Sequence, residues 1–150
     1  MGLINYLKIV RATFRRDLKG IISLKSTDRA MERCKREQLT VPKMFKQQAN
    51  KYPTKVIFKN MDTKYTYQDI DIISNQVANV VKRNGLKPKD EIAVFMTTKP
   101  EYIAVWLGLA KGGMISSLIN TNHRLSALEH SLTSVGTKAL IYDDAQSAGN

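Results

Sequence analysis

A chain of 150 residues with a formal charge of +11 and 43% apolar side chains is long enough for one domain. A chain of that size can bury about two thirds of its unfolded surface. Its single cysteine, Cys34, excludes an intramolecular disulfide. No secretory pattern opens it, and no apolar run approaches the roughly 18 residues of a spanning helix, so the expected setting is the cytosol or the face of an intracellular membrane.

The charge is local. The first 38 residues hold ten Lys or Arg against four Asp or Glu, more than half of the excess in a quarter of the chain. There Leu3, Leu7, Val10, Phe14, Leu18 and Ile21 recur every three or four residues, with Lys8, Arg11, Arg15, Arg16 and Lys19 on the other side. This spacing predicts a basic amphipathic helix. Such a helix suits the surface of an anionic membrane, a calmodulin-like partner, or packing of its stripe on the rest of the domain. The five cations are the candidate membrane-surface contacts. Met1-Gly2 is followed by Tyr6 where the myristoylation pattern wants Ser or Thr. Arg29, Arg33, Lys35 and Arg36 form a second basic cluster. Without zinc-finger spacing, an aromatic RNA-recognition signature or a recognition helix, it reads as a solvated face, and no nucleic-acid partner is expected. A composition shift near Glu37 sets the one expected boundary, dividing a lead-in of residues 1–38 from a domain of 39–150.

Thr40 precedes Val41-Pro42 and a short helix carrying Met44, Phe45 and Ala49, which Tyr52-Pro53 must end. Val56-Ile57-Phe58 and Tyr65-Thr66-Tyr67 flank the turn-rich Asn60-Met61-Asp62-Thr63 and predict an antiparallel hairpin. Thr66 with Asp69 three positions on is a capping signature for a helix whose face holds Ile70, Ile73, Val77, Val80 and Val81 and which stops at Gly85.

From Glu91 the pattern alternates. Glu91–Met96 reads as a strand buried on both faces, and Pro100 and Glu101 open a helix with Ile103, Trp106, Leu107 and Ala110 that ends at Gly112-Gly113. Met114–Ile119 is the next strand. A helix with Leu125, Leu128 and Leu132, closed by Gly136, leads to the strand Ala139–Tyr142. Strands joined in this way run parallel with right-handed crossovers. The expected fold class is therefore α/β: a partial doubly wound, mostly parallel βαβαβ sheet with an antiparallel hairpin and an amino-terminal basic amphipathic helix. About three parallel strands leave two edges, and the polar residues after Asp143 are not expected to cover them.

The residues name no catalytic, cofactor-binding or metal group. His123 and His130 are seven apart and lack a third ligand, so they read as cap and surface histidines. Lys111-Gly112-Gly113 comes after a helix, whereas a phosphate loop needs its glycines before one, so it reads as a helix stop. Asp69, Asp71, Asp143 and Asp144 are too scattered to argue for paired acid–base carboxylates, and Ser116-Ser117 lacks a nucleophile elbow.

Several strings, in order, resemble the amino-terminal part of adenylate-forming (AMP-dependent) acyl-CoA synthetases. They are Tyr65-Thr66-Tyr67-Gln68-Asp69-Ile70, Ser74-Asn75-Gln76-Val77-Ala78-Asn79, the run from Gly85 to Val94, and Pro100-Glu101-Tyr102. Trp106-Leu107-Gly108-Leu109-Ala110-Lys111 and Ile119-Asn120-Thr121-Asn122-His123-Arg124 are most similar to the fatty acid transport protein branch, whose members are very-long-chain acyl-CoA synthetases. The likeness runs from Thr40 to Tyr142. It implies a long-chain or very-long-chain fatty acid–CoA ligase using ATP, magnesium and coenzyme A, in which a fatty carboxylate attacks ATP to give acyl-adenylate and pyrophosphate and the thiol then displaces AMP. It also implies fatty acid and membrane lipid as partners and a membrane-associated setting at the endoplasmic reticulum or plasma membrane. Lys89 stands where the family usually has Gly, at a turn. The family's Ser/Thr/Gly-rich phosphate loop ending in Lys, its ribose and magnesium residues and the branch's spanning helix are not found in this sequence. The 150 residues by themselves are accordingly expected to bind no ATP and to lack ligase activity.

Overall fold

Helix α1 runs Leu3–Arg36, α2 Val41–Lys51 and α3 Tyr67–Arg83, with the hairpin strands β1 (Val56–Asn60) and β2 (Thr63–Thr66) before α3. Strand β3 (Glu91–Phe95), α4 (Pro100–Lys111), β4 (Ile115–Leu118), α5 (Leu125–Thr133) and β5 (Ala139–Tyr142) follow. The computed structural model describes residues 3–60, 63–123, 125–134 and 136–144, with backbone alone at 3–10, 12, 60 and 125. Met61 and Asp62 of the expected hairpin turn, and the side chain of Lys8, lie outside the described residues.

The chain divides into two units, Met1–Thr40 and Val41–Asn150. In the first, α1 continues 15 residues beyond Ile21, where the apolar stripe was expected to end. No Pro or Gly interrupts residues 22–36, and the intrahelical pair of Glu32 and Lys35 at 3.2 Å supports the extension.

In the second unit, β3 lies between β4 and β5, parallel to both, in the order β4-β3-β5. The first connection moves one way across the sheet and the second moves back over β3, so right-handed crossovers put α4 and α5 on opposite faces. That explains why Ile92, Ala93, Val94 and Phe95 are all buried although successive side chains point to opposite faces. Of the outer strands, β5 alternates, with Leu140 and Tyr142 exposed, whereas β4 exposes its two ends, Ile115 and Leu118.

Helix α4 is apolar all round because it is covered on two sides. Val105 and Leu109 pack with Ile92, Val94 and Met114. Ala104 and Leu107 join Ile70, backed by Phe45, Ile57, Phe58 and Trp106. Gly108 allows α3 to approach: a Cβ there would stand 2.6 Å from Ser74 O and 2.7 Å from Val77 Cβ. Val80, expected on the apolar face of α3, is exposed, while Val81 is buried. Tyr67, expected at the end of a strand, is the first residue of α3, because Thr66 caps the helix: Asp69 N donates to Thr66 Oγ1 and Thr66 N to Asp69 Oδ2. Lys89 has φ 74°, the left-handed turn that the likeness to a glycine position anticipated.

Candidate functional site

Ligands of parallel α/β sheets bind beyond the carboxyl ends of the strands. Here those ends are tied by Asp143, just after β5. Its Oδ2 accepts from Thr97 Oγ1 at 2.6 Å and Thr97 N at 3.1 Å, and Lys99 Nζ lies 3.1 Å away. The hydroxyl bond from Thr97 leads the effects that hold this carboxyl below its ordinary range, against the opposing effect of burial. Its other oxygen, Oδ1, is buried without a hydrogen-bond partner. Beyond β4, Asn120 Oδ1 accepts from Asn122 N at 2.9 Å, a short Asx turn that leads into α5. His123 Nδ1 lies 3.0 Å from Ser131 Oγ, a contact with a side chain near the far end of α5 rather than a bond to the helix's first N–H groups.

A second polar cluster joins α2, α3 and α4. Lys111 Nζ donates to Asp71 Oδ1 at 2.7 Å, Ser74 Oγ at 2.7 Å and Asn75 Oδ1 at 2.8 Å. Lys46 Nζ donates to the other Asp71 oxygen at 2.7 Å. Burial disfavours the Asp71 charge, but the hydrogen bonds and charges of Lys111 and Lys46 outweigh it and hold the carboxyl below its ordinary range. Sequence reading took Lys111 only as part of a helix stop. It is that and more, since its three side-chain acceptors lie 36–40 positions away. A lysine closing an apolar helix was the signal available. Across the same helix, Tyr65 Oη donates to Glu101, which raises the phenol's pKa and pins the hairpin to the start of α4.

These groups position elements; they do not form a nucleophile with a base. Among the described residues no three His, Cys, Asp or Glu gather as a metal site. Gly112 N and Gly113 N donate to Gly108 O and Ala110 O, so the N–H groups that would have to cradle a phosphate are already used within the helix end. The Lys111-Gly112-Gly113 stretch is therefore not a phosphate loop. Of the candidate membrane-surface contacts, Arg11, Arg15, Arg16 and Lys19 lie exposed on α1. No helix among the described residues is long and apolar enough to cross a membrane.

The three parallel strands with α3 and the hairpin define an α/β unit of the kind found in the amino-terminal subdomain of adenylate-forming enzymes. The N-terminal domain of FACL13 from Mycobacterium tuberculosis superposes with a TM-score of 0.68 at 27% identity, covering 73% of this chain and 28% of that one. The NpsA N-terminal subdomain from Klebsiella oxytoca, in complex with 3-hydroxyanthranilyl-AMSN, superposes at 0.66 with 26% identity over 71% of this chain and 28% of that one. The family model for AMP-binding enzymes matches residues 45–150. The Homo sapiens long-chain fatty acid transport protein 1 is 36% identical over 139 residues, which is 91% of this chain and 22% of that protein. The chain belongs to the AMP-binding enzyme family, among the long-chain fatty acid transport proteins and acyl-CoA synthetases, and spans about a fifth of the length of the curated relatives it matches.

Proposed function

We propose that these residues form the amino-terminal part of a long-chain or very-long-chain fatty acid–CoA ligase whose activity serves fatty acid uptake, and that by themselves they are catalytically incompetent. The observation that carries this is the β4-β3-β5 parallel sheet with its two crossover helices, in a chain matching a fatty acid transport protein over 91% of its own length. Within such an enzyme the segment acts as scaffold. Asp143 joins the carboxyl ends of β3 and β5, and Lys111 locks α4 to α3, so the edge of the sheet where ligands bind is held rigid. Incompetence of these 150 residues by themselves is part of the proposal, supported by a sequence in which no Ser/Thr/Gly-rich stretch ending in Lys is found.

The test exchanges the matching segment of human long-chain fatty acid transport protein 1 for residues 45–144 of this chain and measures ATP- and CoA-dependent formation of oleoyl-CoA. The chimera is expected to form the thioester, and the 150-residue chain alone to form none. A chimera that folds by circular dichroism yet stays inactive refutes the scaffold reading. Thioester formed by the chain alone refutes incompetence.

A further inference from the structure

Helix α1 is continuous, but its two halves differ in chemistry. In its amino half Phe14, Leu18, Ile21 and Ile22 are spaced i, i+4, i+7 and i+8, which makes one stripe. All four side chains are exposed, from 44% at Leu18 to 60% at Ile22. Leu3, Leu7 and Val10 extend the stripe in sequence. Arg11, Arg15 and Lys19 form a second row at i, i+4 and i+8, and none makes an ion pair with another described residue. The carboxyl half differs chiefly in lacking the stripe. The positions that would continue the stripe are Lys25, Asp28, Arg29 and Glu32. Three of its five cations are paired, Arg33 and Arg36 with Glu37 just past the helix end at 3.0 and 3.9 Å and Lys35 with Glu32 at 3.2 Å.

An exposed row of large apolar side chains is costly in water, and a flanking row of unspent cations selects what covers it. We infer that residues 3–22 are an interfacial helix that lies flat in an anionic lipid surface, while residues 23–36 stay in water as a charged spacer. About 20 residues at 1.5 Å each give a contact about 30 Å long. The apolar stripe enters the acyl boundary, and the arginine and lysine stems lie along it with their charges among the headgroups. Charge complementarity favours this occupant over a neutral bilayer. The break at Ile22 favours it over a longer groove-binding helix. The inference does not rest on the ligase reading, and it survives if that reading fails.

The experiment is cosedimentation of the full 150-residue chain with phosphatidylcholine vesicles that contain or lack phosphatidylserine. Binding is expected only with phosphatidylserine. Each cation near such a surface accounts for about fivefold in affinity, so Arg15→Gln with Lys19→Gln should weaken binding about 25-fold. Phe14→Ser with Leu18→Ser should weaken it about tenfold per side chain or more, through lost burial. The control pair Arg29→Gln with Arg33→Gln should leave it within about twofold, because those charges stand beyond the contact. All six positions are exposed, and far-UV circular dichroism checks that the helix persists. Equal binding to both vesicles, or an equal loss in the control pair, overturns the inference. Tight binding to calcium-loaded calmodulin without vesicle binding makes the stripe a groove ligand. Binding to duplex DNA that is indifferent to Phe14→Ser and Leu18→Ser makes the cations a polyanion site. Either of these overturns it too.

Discussion

Replacing Lys111 by methionine removes one charge from the polar cluster between α3 and α4 while keeping the stem that packs there. Lys111 and Asp71 are 13% and 10% exposed, so the loss leaves a buried carboxylate and strips three acceptors of their shared donor. Breaking a buried pair from one side costs about 3–5 kcal/mol. Lys46 stays at 2.7 Å from Asp71 but is 52% exposed, which compensates in part, so the expected loss is about 3 kcal/mol. With a urea dependence of about 2 kcal/mol per molar, the midpoint should fall by about 1.5 M. Far-UV circular dichroism and the fluorescence of Trp106, the only tryptophan, follow the transition. The pH dependence gives a second check. The folded Asp71 carboxyl titrates below its ordinary value. Its contribution is therefore fully present above the unfolded value of about 3.9 and is lost as pH falls through the lower, folded one. In Lys111→Met the depression shrinks, so the gap between variant and parent should narrow below about pH 4. A loss under about 1 kcal/mol at neutral pH, or a loss that acidification leaves unchanged, would refute a buried, charge-coupled cluster.

Two further substitutions test the packing and the backbone. Gly108→Ala should destabilise by about 2 kcal/mol, since overpacking of about 3 kcal/mol outweighs the roughly 1 kcal/mol gained in helix propensity; the contact at 2.6 Å is with backbone of α3 and has little room to yield. An unchanged urea midpoint would show that the two helices can part without cost. Lys89→Gly should stabilise by up to about 1 kcal/mol by relieving a left-handed lysine. A lowered melting temperature would mean that the φ of 74° is not strained.

Much of the architecture is written in short spacings. Thr66 and Asp69 announce the start of α3, Pro100 and Gly112 bracket α4, and the strand–helix–strand lengths from Glu91 to Tyr142 require parallel strands with right-handed crossovers. All of these depend on residues within a turn or a connection of each other, where local geometry leaves few choices. The amphipathic start of α1 was equally legible; its continuation to Arg36 was not, because the stripe stops while a run without Pro or Gly and the Glu32–Lys35 pair carry the helix on. What no spacing could announce is which distant groups meet. Asp143 reaches back 46 positions to Thr97 and Lys111 reaches back 40 to Asp71, each pairing created only when the strands and helices close around one core. The sheet order β4-β3-β5 and the close passage at Gly108 have the same origin. Sequence by itself determined the elements and their handedness, because these follow from torsion preferences and neighbours along the chain. Tertiary structure decided the order of the strands and the buried polar contacts, because desolvation makes a lysine and an aspartate obligatory partners only after packing has removed the water between them.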